Sequence, residues 1–168
     1  MEENASRILD AHRVLAISTL RPDGWPQTTI VGYVNDGLAL YFLIFRSSQK
    51  FANIRHDNRV SIAVGAEPKD MGEAKAVFAG ANAFEVVDPE QRDYAWRRLV
   101  QRHPNLANFD LPGSAQAALI RADCKYVSVL DYSKGFGHTE AITIGDQEAV
   151  RTDAPRREDW GLSVATEI

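Results

Sequence analysis

The chain has 168 residues, 45% of them hydrophobic and 25% charged, with a net charge of −4. That is enough apolar material to bury the core of one ordinary domain, and the acidic balance excludes a general polyanion-binding surface, so no nucleic-acid partner is expected. Cys124 is the one cysteine, which excludes an internal disulfide and a thiolate metal cluster. No apolar stretch approaches the length of a membrane span and "MEENASRILDAHR" lacks a signal-peptide core, so the expected compartment is the cytoplasm with no membrane partner.

In chain order, residues 3–12 read as a short helix with Ile8 and Leu9 on its apolar face. "VLAISTL" (14–20) is strand-like and "RPDG" (21–24) is a turn signal. "PQTTIVGYV" (26–34) is a second strand, ended by Asn35-Asp36-Gly37, whose Asp-Gly is a strong hairpin cue. "LALYFLIF" (38–45) is a third, apolar on both faces, so each side needs a cover. A helix near 48–57 precedes the strand "RVSIAVG" (59–65). The long strand "AKAVFAGANAFEVV" (74–87) has Gly80 near its middle, where glycine marks a bulge, a bend or a close approach.

Asp88-Pro89-Glu90-Gln91 is a helix start, with Ala95, Trp96, Leu99 and Val100 as its buried stripe. Residues 103–113 read as loop and 114–120 as a brief helical piece. "KYVSVLDY" (125–132) reads as the last core strand, "SKGFGH" (133–138) as a loop and "TEAITI" (139–144) as an edge strand. The expected class is mainly β with few helices: an antiparallel barrel of six or seven strands over residues 1–145. Residues 146–168 form a C-terminal tail, either mobile or packed on a partner subunit.

The four histidines, His12, His56, His103 and His138, show no metal-ligand spacing, so no metal site is expected. A Gly-x-Ser-x-Gly elbow, a Walker A loop and the dinucleotide fingerprint are absent, and no side chain is identifiable as a catalytic acid, base or nucleophile. "YFLIFRSSQKFANI" (41–54) carries the one local charge signal. Helix starts favour anions because their N–H groups lack partners, yet this one gathers Arg46 and Lys50 around Ser47 and Ser48. Either a phosphate sits there, or both cations point into water.

The order of "VLAISTLRPDGWPQTTIVGYVNDGLALYF", "SSQKFANIRHDNRVSIAV", "VFAGANAFEVVD" and "VLDYSKGFGHTE" resembles the pyridoxamine 5′-phosphate oxidase-like, FMN-binding split-barrel family across about 14–140. The resemblance implies a split barrel that dimerises, with one FMN per subunit at the homodimer interface. It assigns Gln27, Thr28, Thr29 and Ile30 to a strand along the flavin ring and Phe42, Leu43 and Ile44 to its neighbour, with backbone groups making many of the contacts. It also implies that one face of 38–45 fills the barrel while the other meets flavin or the partner. Ser48 and Lys50 are assigned to the phosphate, with Ser47 and Arg46 nearby and Asn53 a further carry-over. The loop bearing Lys134, Phe136 and His138 is either a cover for the partner's flavin or an ordinary connection. Trp25 and Trp96 read as packing residues.

The tail "RTDAPRREDWGLSVATEI" departs from the substrate-gripping pattern of true pyridoxamine phosphate oxidases, which argues against vitamin B6 oxidation. The implied activity is an FMN-dependent oxidoreductase acting on a small-molecule substrate, or taking electrons from a donor such as NAD(P)H. The alternatives are a non-catalytic flavin-binding or storage module, and an F420- or haem-binding relative on the same fold.

Overall fold

A computed structural model describes residues 1–109 and 115–144 and the backbone of 149–152. Its strands are β1 (Val14–Leu20), β2 (Pro26–Asp36), β3 (Ala39–Phe45), β4 (Arg59–Gly65), β5 (Lys75–Glu85), β6 (Ala117–Asp131), β7 (Thr139–Ile144) and β8 (Ala149–Thr152). The helices are α1 (Glu2–Ala11), α2 (Gln49–His56) and α3 (Pro89–Arg102). One antiparallel sheet runs β3-β2-β1-β4-β5-β6-β7-β8, and an additional β3–β6 pairing closes the first six strands into a barrel.

Alternation along each strand builds the inside. Leu15 and Ile17, Val31 and Tyr33, Leu40, Phe42 and Ile44, Val60, Ile62 and Val64 all belong to one buried cluster. Helix α1 adds Ala5, Ile8 and Leu9 to it, and the buried Tyr33 hydroxyl donates to the Leu9 carbonyl at 2.7 Å. Helix α2 adds Phe51 and Ile54. A second cluster lies outside the barrel, where Ala95, Trp96 and Leu99 of α3 cover Val34, Tyr41 and Leu119. Asp88 caps α3 as the sequence implies, its side chain accepting from the Gln91 N–H at 2.9 Å.

Four expectations need correction. Residues 117–120 are strand, because β6 starts at Ala117 rather than near 125. Its alanines look helical, yet Ala118 faces Ile44 and Ala122 faces Leu40 across the β3 ladder, where small side chains complement large ones; packing overrides propensity. The outer face of β3 meets α3 of the same chain, which leaves Tyr41 only 4% exposed. Trp25 is 72% exposed at the β1–β2 turn, where Arg21 N–H to Trp25 carbonyl closes the loop at 3.0 Å and directs the indole outward. Within the expected tail, 149–152 pair with β7 as a strand; the remainder, like 110–114 of the expected loop, lies outside the described residues. Gly80 does mark a bulge, with the register shifting between Gly80 and Ala81. The Tyr126 ring lies so close that a Cβ on Gly80 would meet Cζ at 2.1 Å.

The feature that positions the candidate site is a gap. β2 and β3 pair only through 33–36 and 39–42. Residues 26–32 continue on β1 alone and 43–45 on β6 alone. The two facing edges of this split therefore have no strand partner, leaving backbone donors and acceptors free.

Candidate functional site

Helix α2 closes the far end of the split. Ser48 is its cap: the hydroxyl accepts from the Phe51 N–H at 3.2 Å and donates to the Phe45 carbonyl at 2.7 Å. This ties the helix start to the end of β3. Asn53, one turn on and fully buried, ties it to the other wall. Its Nδ2 donates to Thr19 Oγ1 at 2.9 Å and to Gln27 Oε1 at 3.1 Å, while its Oδ1 accepts from Gln49 Nε2 at 2.8 Å. Asn53 is thus a fixed internal link rather than a spare ligand group. The sequence hint was its place beside Phe51 and Ile54 on the buried side of α2.

The two cations of this junction differ. Arg46 is bound to Glu85 through both guanidinium nitrogens, with Nη1 to Oε2 at 3.0 Å, and its guanidinium lies 5.4 Å from the centre of the Phe51 ring. The Glu85 hydrogen bond raises its pKa further. Lys50 is half-buried and has no ion pair or hydrogen bond among the described residues. Desolvation pushes its ammonium below the ordinary lysine range. Beside it, the N–H groups of Gln49 and Lys50 lie in a first helical turn with no intrahelical acceptor, and Ser47 is exposed. An unpaired, partly dehydrated cation next to free N–H groups is a chemical fit for a phosphate.

The remaining expected residues divide by strand parity. Gln27 and Thr29 sit opposite Thr19 and Ile17 and face inward. Thr29 Oγ1 is buried with no hydrogen-bond partner, the one such side-chain atom among the described residues. Thr28 and Ile30 face outward: Thr28 Oγ1 shares a 2.7 Å hydrogen bond with Ser18 Oγ, and Ile30 is 65% exposed. Phe42 and Ile44 point into the barrel core, so only their backbone is open to a ligand, whereas Leu43 faces outward at the split.

Over the outer side of the split lies an apolar cavity of about 340 Å³, lined by Val14, Gly32, Leu43, Phe45, His103 and Phe109 among others. His103 was missed from sequence, because only the fold brings the end of α3 over β2. The 133–138 loop is elsewhere, beside α1. There Lys134 Nζ donates to Glu140 Oε1 at 2.6 Å, His138 Nε2 lies 3.1 Å from the same oxygen, and Phe136 packs against Tyr132. These partners hold the Glu140 carboxyl down to about 2. No group of three metal-ligating side chains occurs among the described residues, and no described helix is long and apolar enough to cross a membrane.

A six-stranded antiparallel barrel, closed by β3–β6 and parted beside a helix start, defines a split-barrel protein. The chain belongs to the pyridoxamine 5′-phosphate oxidase family, whose model matches residues 1–131. No curated protein matches the sequence. Among solved structures, the chain is similar to a haem-binding protein of Mycobacterium smegmatis, with 19% identity and a TM-score of 0.72 over 85% of this chain; it spans 58% of that protein. A pyridoxamine 5′-phosphate oxidase-like protein of Listeria innocua has 18% identity and a TM-score of 0.64, with 77% of this chain and 97% of that one covered. An FAD-binding protein of Mesorhizobium loti has 22% identity and a TM-score of 0.60, with 74% and 90% covered. At these identities the likeness establishes the fold.

Proposed function

We propose that this protein holds FMN in the β2–β3 split and serves as an oxidoreductase. The observation that carries the reading is Lys50, a half-buried cation without a partner among the described residues, at the end of a slot whose walls offer free backbone groups. Lys50, Ser47 and the first N–H groups of α2 would take the phosphate. The backbone of 27–30 and 43–45 would take the ring edge, with Gln27, Thr28, Thr29 and Ile30 on one wall and Phe42, Leu43 and Ile44 on the other. Bound FMN supplies reversible electron transfer, and the protein supplies position and exclusion of water. A small-molecule substrate or NAD(P)H is the reading for the other reactant.

A homodimer is part of this reading. The register sets Ile30, Ala16, Ala63 and Phe78 in one outward row across four strands, with Ile30 65% and Phe78 42% exposed. Val14, two residues from Ala16 on the same face, is 51% exposed. A row of apolar side chains on an uncovered sheet face suits a second copy. Light scattering on the purified protein should give twice the chain mass.

Haem is the second reading, supported by the likeness to the mycobacterial haem-binding protein. One spectrum of the purified protein separates the two. Flavin gives bands near about 370 and 450 nm that bleach on reduction, F420 absorbs between them, and haem gives an intense Soret band. Oxidation of NAD(P)H with a dye acceptor then distinguishes an oxidoreductase from a storage module.

A further inference from the structure

We propose that the cavity beneath the segment following α3, His103 to Phe109, is a binding site for a small uncharged aromatic ring carrying one hydrogen-bond donor, with His103 as its polar anchor. Because it shares Leu43 and Phe45 with the split, it deepens the cofactor reading as the seat of the substrate's ring and rests on that reading for its role; the binding itself does not. The lining supplies the argument. Leu43, Leu106, Phe45 and Phe109 form apolar walls around about 340 Å³, with Phe45 and Phe109 packed edge to face at 6.3 Å. Among the described residues that line it, His103 and Asn105 are the polar side chains and none is a lysine, arginine or carboxylate, so they offer a phosphorylated or ionised ligand no counter-charge.

The imidazole of His103 is held in one tautomer. Its Nε2 lies 3.0 Å from the Tyr33 carbonyl, which only accepts, so Nε2–H donates there, and the tautomer this selects has its lone pair on Nδ1. Nδ1 has no hydrogen-bond partner among the described residues. Gly32 makes the close seating possible: a Cβ there would meet His103 Cε1 at 3.1 Å. An acceptor without a partner among the described residues, on a residue that lines an apolar, ring-sized cavity, favours a donor-bearing ring over a plain hydrocarbon.

Phenol and toluene, titrated into the full-length protein with ¹⁵N-labelled histidine, test this by NMR. Phenol should move the His103 Nδ1 resonance upfield while toluene leaves it in place. His103→Phe should weaken phenol by about three- to tenfold, the loss of one hydrogen bond, without weakening toluene. Gly32→Ala, which crowds the ring, should weaken both. An Nδ1 resonance unmoved at saturating phenol overturns the proposal, as does no binding up to the solubility limit, or equal phenol affinity in a folded His103→Phe variant. If that variant does not fold, the Nδ1 shift in the unaltered protein decides alone. No step of the readout uses flavin, so failure of the cofactor reading is seen separately in the spectrum.

Discussion

The β2–β3 junction has two halves with the same covalent chemistry and different fates. In 33–36 and 39–42 the strands pair, Phe42 is fully buried and α3 covers the outside. In 26–32 and 43–45 the strands part, Ile30 is 65% exposed, and a cation without a partner among the described residues waits at the end. The paired half uses its backbone groups on itself and gains stability. The parted half keeps them free, which contributes little to folding and makes a site.

The largest expected effect tests the stability side. Phe42→Ala should cost about 3–5 kcal/mol, as a buried aromatic leaves a cavity, whereas Ile30→Ala in the parted half, compared at dilutions that keep the chain monomeric, should stay within about 0.5 kcal/mol. Equal losses in urea denaturation would erase the contrast. Next is the link that holds the gap's far end. Asn53→Leu strands Thr19, Gln27 and Gln49 and should cost about 2–4 kcal/mol. A thermal midpoint equal to that of the unaltered protein would mean the network is idle. Smaller still is Arg46→Gln: losing a partly buried ion pair should cost about 0.5–1.5 kcal/mol and leave FMN affinity in place, since Arg46 is committed to Glu85. A large loss of affinity would make Arg46 a phosphate ligand after all.

The smallest effect is in pH dependence. Burial lowers the Lys50 pKa below its unfolded value, so the unfolded chain holds that proton more tightly. Without ligand, stability from this group should therefore rise with pH as the folded pKa is passed, up to the unfolded value of 10.5. The difference in stability between the protein and Lys50→Met, followed from neutral to alkaline pH, should show that slope; a flat difference would mean Lys50 is not dehydrated. For Glu140, held down to about 2 by Lys134 and His138, the slope has the same sign in an acidic window: its stabilisation is fully present above 4.5 and is lost as pH falls from there toward about 2.

What could be read in the sequence was local. The Asp-Gly and Pro-Asp-Gly turns, the period-two strands and the Asp88-Pro89 cap all depend on neighbours a few residues apart, and the structure has each of them. Gly80 was legible as a bulge, a bend or a close approach, and the pairing register shows which: it shifts there. The start of β6 was not, since Ala117 and Ala118 read as helix until Ile44 and Phe45 stand opposite them. The split itself is a matter of which strands stop pairing, which no local pattern records. The cluster of Arg46 and Lys50 was visible, but which of them is spoken for depends on Glu85, far along the chain. His103 carried no signal at all, because its meaning comes from Gly32 beneath it.

The most direct measurement is calorimetric titration of FMN and of riboflavin, which lacks the phosphate, into the unaltered protein and Lys50→Ala. The account predicts that FMN binds more tightly than riboflavin, and that Lys50→Ala removes about 1.5–3 kcal/mol from FMN alone. Equal affinity for the two flavins in the unaltered protein, or a preference for FMN that survives Lys50→Ala undiminished, would contradict it.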